Sequence, residues 1–220
     1  MPPDYRRPPE GAAPPRALVL PTDATSRARF ADQHALLVPR AAHPELVAEL
    51  RTLADQGCWQ PDPVTSDRFR FDSCPVDLSP VAARLLQPQL LADLAALTGI
   101  TELTELTELT ELTDGRSASG FEGQLKRIRP GDHFPWHRDH RSGQRLGMSL
   151  CLSSDFDGGA FEIRWRWEDE PLARCQPRRP GDLVLIDVAD PRLAHRVAPV
   201  TRGERVVLAG WWTAGGPSAG

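Results

Sequence analysis

The second half of the chain is divided into short β-rich runs, and this most narrows what it can fold into. "FEGQLKRIRP" (121–130), "RLGMSLCLSS" (145–154), "GAFEIRWRW" (159–167), "GDLVLID" (181–187) and "ERVVLAGWW" (204–212) are separated by the turn signals "DFDGG", "RPGD" and "TRGE". Such a series of strands, preceded by helices, predicts an antiparallel sandwich or jelly roll with helices packed on one side. The fold class is therefore mainly β with N-terminal helices (α+β).

The helices come first. Pro44 suits a first helical position, Leu46, Val47, Leu50, Leu53 and Ala54 follow helical spacing, and Gly57 closes the segment. A second stretch, 80–98, carries Leu85, Leu86, Leu90, Leu91, Leu94 and Leu97 before Gly99, with Pro88 breaking it into two pieces. Six of the first fifteen residues are proline, so order is expected to start near Phe30. The expected organisation is a proline-rich lead (1–29), a helical support region (30–114), a β core (115–213) and a loose tail (214–220).

Between helices and strands lies "TELTELTELTELTD" (101–114). On an α-helix a period of three drifts by about 60° per repeat, so Leu103, Leu106, Leu109 and Leu112 wind round the cylinder. On a strand they alternate sides. Neither placement buries all four, which predicts an exposed insertion or hinge.

A net charge of −4 gives no footprint for nucleic acid or an anionic membrane, and the basic cluster "RCQPRRP" (174–180) is only a local patch. Cys58, Cys74, Cys151 and Cys175 form no C-x-x-C pair. The apolar "ALVL" (17–20) stops at Pro21, too short for a signal peptide, and no 18-residue apolar run exists. The expectation is a reduced, cytoplasmic protein.

Chemistry concentrates in "DHFPWHRDH" (132–140). Residues two apart on a strand share a face, so His137 and Asp139 project together while Arg138 and His140 point away. Asp132 and His133 fall in the approach turn. The H-x-D pair is a weak signal in a chain with six histidines and needs a third ligand. His195, 58 residues on, follows the apolar strand "LVLID". Two imidazoles and a carboxylate make a facial triad that leaves positions open on an octahedral iron(II). Arg205, ten residues after His195, stands among apolar residues where a guanidinium can grip a carboxylate through two hydrogen bonds.

In "PGDHFPWHRD", "DGGAFEI", "RPGDLVLID" and "HRVAPVTRGERVVLAGWW" the chain resembles the iron(II)- and 2-oxoglutarate-dependent oxygenases, within them the prolyl-hydroxylase-like group, over about residues 121–213. The resemblance implies a double-stranded β-helix (cupin-like jelly roll) with iron held by His137, Asp139 and His195. It implies that Arg205 binds the distal carboxylate of 2-oxoglutarate, and that O2 is the second cosubstrate. The activity implied is hydroxylation of a C–H bond of an amino acid, a peptide (prolyl included) or a small metabolite, with release of succinate and CO2. Asp139 favours hydroxylation over halogenation, since related halogenases lack that carboxylate.

One departure concerns tyrosine. Many relatives place tyrosines on the strands flanking H-x-D, whereas "LKRIRP" and "SLCLSS" contain none and the only tyrosine is Tyr5. Arg129 is the proposed second 2-oxoglutarate contact, and Arg202 is expected to be solvated. The segment 58–77 and "RWRWEDEP" (164–171) are expected to flank the barrel mouth. There Trp165 and Trp167 share a strand face, and Arg68 and Arg70 alternate with Phe69 and Phe71. Two other readings stay open: a cupin-like metal enzyme that does not use 2-oxoglutarate, and a non-catalytic jelly-roll binding module.

Overall fold

The computed structural model describes residues 16–63, 69–104, 106, 120–132, 134–139 and 143–213. Its N-terminal elements are α1 (Ala24–Gln33), β1 (Ala35–Val38), α2 (Pro44–Gln56), β2 (Gln60–Pro61), β3 (Asp72–Cys74), α3 (Ser79–Leu85) and α4 (Pro88–Thr98). The strands that follow are β4 (Phe121–Ile128), β5 (Phe134–His137), β6 (Gln144–Cys151), β7 (Phe156–Gly158) and β8 (Phe161–Trp165). They continue with β9 (Ala173–Cys175), β10 (Leu183–Asp187), β11 (Leu193–Val197), β12 (Val200–Gly203) and β13 (Arg205–Thr213).

Among the described residues the strands form a seven-stranded sheet, β1-β10-β6-β13-β4-β3-β2, a four-stranded sheet, β5-β11-β8-β9, and the pair β12-β7. Every pairing is antiparallel. Alternation along the strands splits the apolar residues into two cores. One lies between the helices and the large sheet, with Leu46, Leu50, Leu85, Leu94, Leu125, Leu208 and Trp212. The other lies between the two sheets, with Ile128, Phe134, Phe161, Ile163, Val184 and Val197. Trp212 joins helix to sheet by donating its indole N–H to the Leu85 carbonyl at 3.1 Å. This is the antiparallel jelly roll with helices on one side that the strand series predicts, in the double-stranded β-helix form that the resemblance implies.

The helices follow their sequence signals. Pro44 opens α2, Leu46, Val47, Leu50 and Ala54 are its buried stripe, and Pro88 starts α4 where the break was expected. Gly57 ends α2 in an extended conformation. It is glycine because a Cβ there would overlap Cys74 Sγ.

Three expectations need correction. Order begins before Phe30: Asp23 caps α1 by accepting from the Ser26 N–H at 2.8 Å and its hydroxyl at 2.9 Å, while Ala17 and Leu18 are buried. The region 30–114 is not only helical, because β1, β2 and β3 lie at the two ends of the large sheet. The described start of the TEL repeat is not exposed, since Leu103 and Leu106 are fully buried in the helix-side core. One repeat turns the helical direction by only about 60°, so two successive leucines still reach the same core. Leu109 and Leu112 lie outside the described residues, as do the lead 1–15 and the tail 214–220.

Replacing Leu103 by Ala is expected to cost roughly 2–5 kcal/mol, read as a lower midpoint in urea unfolding, whereas an exposed repeat would show almost no change. All four cysteines are free thiols, of which only Cys58 is exposed. Burial raises the thiol pKa of Cys74 and Cys151 and pushes Cys175 to about 11. At pH 8 a thiol reagent is therefore expected to label one cysteine quickly in the native protein and four after denaturation. Fast labelling of a second thiol would contradict this packing.

Candidate metal centre

Strand pairing brings the two histidines together. In the small sheet β11 lies between β5 and β8, and His195 stands opposite His137 on one side and Ile163 on the other. The two imidazoles meet edge to face with centroids 4.3 Å apart. The expected parity argument for Asp139 is corrected in detail, because β5 ends at His137 and Asp139 lies two residues beyond it. A hydrogen bond turns its carboxylate inward instead: Trp211 on β13 donates its indole N–H to Asp139 Oδ2 at 2.6 Å.

His137 Nε2 lies 3.8 Å from Asp139 Oδ1, and His195 Nε2 lies 3.6 Å from Asp139 Oδ2. One ligand atom from each of the three falls within 4.8 Å of the others. His137 Nδ1 donates to the Pro135 carbonyl at 2.7 Å, which fixes the tautomer whose Nε2 lone pair can ligate a metal. Burial pushes the His195 pKa down to about 4, outweighing the opposing pull of Asp139, so this imidazole is neutral near pH 7. Two imidazoles, one carboxylate and an indole holding that carboxylate fit an octahedral iron(II) with open positions.

Arg205 opens β13 opposite Ile128 and is 1% exposed. Its Nη2 donates to Ser149 Oγ at 3.1 Å, and its buried Nε has no hydrogen-bond partner among the described residues. Loss of solvation lowers its pKa, yet an arginine stays charged throughout the ordinary pH range. Gly159 makes room for it: φ is +65°, and a Cβ there would stand 2.8 Å from Arg205 Cδ. Arg205, Ser149 and the three metal-facing residues line one cavity of about 70 Å³ between the sheets. A buried guanidinium with an unmet donor fits an anionic ligand in that space.

Arg129 is not brought to this cavity. It forms ion pairs with Glu204 at 2.9 Å and Asp72 at 3.1 Å, and its side chain is 43% exposed. Strand parity is the reason: Ile128 faces the barrel core, so the next residue turns away. Arg202 is solvated as expected and pairs with Asp157 at 2.6 Å. Asp132 occupies the expected turn, its carboxylate accepting from the Arg129 N–H at 2.9 Å, while His133 and His140 lie outside the described residues. Trp165 ends β8 and Trp167 lies in the following turn, so they do not share a strand, but their rings stack at 5.7 Å. Arg68 lies outside the described residues and Arg70 is exposed.

Lys126, Ser149 and Trp211 escaped the sequence reading. Lys126 lines the cavity with its ammonium 4.7 Å from the Phe71 ring centre and 5.3 Å from those of Phe134 and Trp211. Counting in twos along β13 from Arg205 reaches Trp211, and that signal was available. Phe71 stacks on Phe134 at 4.5 Å and Phe69 meets the His137 ring edge-on at 5.1 Å, so the described part of 58–77 flanks the mouth through Asp62, Pro63, Phe69 and Phe71.

Residues 123–213 match the family model of the 2OG-Fe(II) oxygenase superfamily. A PKHD-type hydroxylase of Synechococcus sp. (strain CC9605) is 32% identical over 93 residues, which are 40% of this chain and 39% of that protein. The alignment thus spans well under half of the curated relatives it matches. Among solved structures, an oxidoreductase of the 2OG-Fe(II) oxygenase family from Burkholderia pseudomallei superposes with TM-score 0.65 at 15% identity, covering 87% of this chain and 91% of its own. A Pseudomonas putida prolyl-4-hydroxylase superposes with TM-score 0.60 at 18% identity, covering 88% and 99%. These two show a shared fold. The segment that matches the 2OG-Fe(II) oxygenase superfamily model contains His137, Asp139, His195 and Arg205 in the arrangement described above.

Proposed function

We propose that the protein is an Fe(II)- and 2-oxoglutarate-dependent dioxygenase that hydroxylates an unactivated C–H bond of an amino acid, a peptide (prolyl included) or a small metabolite. The observation that carries this reading is the shared cavity, in which three metal-ligating side chains face a buried arginine whose Nε is unmet. Loaded with iron(II), 2-oxoglutarate and O2, such a site supplies oxidative decarboxylation to succinate and CO2 with transfer of one oxygen atom to the substrate C–H bond.

The chain's own contribution is binding, orientation and exclusion of water. His137, Asp139 and His195 would hold the metal. Arg205 binds the far carboxylate of the cosubstrate, with Ser149 beside it to fix the guanidinium plane. Ile128, Phe161, Val197 and Val207 keep that end of the cavity dry, which strengthens the ion pair. A cupin-like enzyme without 2-oxoglutarate, or a binding module, would leave the Arg205 charge buried without an anion. A cytoplasmic setting is part of the proposal, supported by four cysteines that are all free thiols. No described helix is long and apolar enough to cross a membrane.

Anaerobic addition of Fe(II) and 2-oxoglutarate is expected to give a weak visible charge-transfer band, absent from His195→Ala; no band with the unaltered protein would sink the chelation model. Arg205→Leu should weaken 2-oxoglutarate binding by about 2–5 kcal/mol while sparing metal affinity. Arg129→Leu should leave 2-oxoglutarate affinity unchanged, and a comparable loss in both would move the clamp elsewhere. Trp211→Phe removes the donor that holds Asp139 and should lower metal affinity by roughly 10–100-fold, measured by competition with a metal chelator.

A further inference from the structure

Beside the metal centre a larger cavity, about 630 Å³, opens to solvent and shares Lys126, His137, Asp139 and Trp211 with the inner one. Its size suits an amino-acid side chain or a small metabolite. Its polarity changes from inside to outside. On β4, Ile128, Lys126, Gln124 and Glu122 fall on one face in steps of about 7 Å, and the register sets them opposite Arg205, Val207, Ala209 and Trp211. The inner end is therefore cationic, with Arg205 and Lys126.

The outer end is rich in acceptors. Asp62 is 6% exposed and accepts from Gln124 Nε2 at 2.7 Å, which leaves the Gln124 carbonyl oxygen as a further acceptor, and Glu122 lines the same wall. The second cation of this cavity, Arg138, donates to the Pro191 carbonyl at 3.2 Å. An acidic wall alone would be an ordinary solvated surface. Gln144 makes it more than that: it lines the cavity, is 5% exposed, and its carbonyl oxygen has no hydrogen-bond partner among the described residues. A buried acceptor left without a donor is destabilising, and a ligand N–H removes that cost.

We infer that the substrate carries an ammonium or guanidinium group, received by the Gln144 carbonyl oxygen on the wall completed by Asp62, Gln124 and Glu122. The inference rests on the oxygenase reading and names the substrate class of that same site. With cosubstrate carboxylate at the cationic inner end, a substrate cation at the mouth places the intervening carbons beside His137 and Asp139.

The full chain, loaded with manganese(II) and 2-oxoglutarate, is titrated by calorimetry with L-lysine, L-norleucine and the N-acetyl methylamides of both. Capped norleucine, which has no cation, should bind at least tenfold more weakly than the tightest compound bearing an ammonium. Binding of capped lysine supports a side-chain cation within a peptide. Binding of free norleucine without capped lysine supports the α-ammonium of a free amino acid. Gln144→Met should weaken the amine at least tenfold and Gln144→Glu should retain it, with 2-oxoglutarate affinity preserved in both as the control for folding. Equal binding of capped norleucine, no binding by any of the four, or full amine affinity in Gln144→Met overturns the inference while 2-oxoglutarate still binds. Failure of the unaltered protein to bind 2-oxoglutarate overturns the oxygenase reading and this inference with it.

Discussion

The site depends on the alternation of one strand. β13 runs between β4 and β6, so its backbone is paired on both edges and its side chains must divide between two cores. Arg205, Val207, Ala209 and Trp211 line the cavity between the sheets, while Leu208 and Trp212 belong to the helix-side core. A slip of one residue would bury Arg205 under the helices and turn the Trp211 indole away from Asp139. Trp212, anchored to the Leu85 carbonyl, opposes that slip from the other side of the sheet. A helix-side contact therefore fixes the register on which the placement of Arg205, the proposed carboxylate clamp, and of Asp139, the proposed third metal ligand, relies.

The grouping of the site residues was legible where residue type and spacing combine. His137, Asp139, His195 and Arg205 are distinctive side chains set among strand-like runs, and β-pairing brings the distant histidine opposite the first. The unread residues needed something that a spacing pattern does not contain. Arg129 was favoured for its charge, yet parity turns it out to Glu204 and Asp72 and turns Lys126 in. Ser149 becomes meaningful only when β6 and β13 are known neighbours, because its hydroxyl meets Arg205 across the sheet. In the TEL repeat, the angular drift over four leucines obscured the fact that the first two still share a core.

The electrostatics of the cavity follow from burial more than from formal charge. A chain of net charge −4 keeps Arg205 buried and sets the Lys126 ammonium against three aromatic rings. Both cations face a space where Asp139 is committed to the metal position. Such an interior stabilises bound carboxylates strongly, because little water competes for the guanidinium and the walls are apolar. The same burial keeps His195 neutral, so it offers a lone pair and not a second positive charge. Anion affinity and metal affinity thus share a cause in the dry space between the sheets.

The family match covers residues 123–213, and the division of labour in the structure explains why a match confined there is chemically coherent. All three metal-facing residues, Arg205, Ser149 and Lys126 lie inside it. The outer wall draws on the other half of the chain: Asp62, Phe69 and Phe71 come from the segment around β2 and β3, which adds to the sheet beyond β4. Phe71 and Phe134 stack across that boundary, so the unmatched half shapes the approach to a metal position it does not ligate. Sequence change in that segment can alter which molecule reaches the metal while leaving the donor set intact. Under the proposed function, substrate choice is thereby separated from oxidative chemistry along the chain as well as in space, with Gln144 the point where the matched half reaches the outer wall.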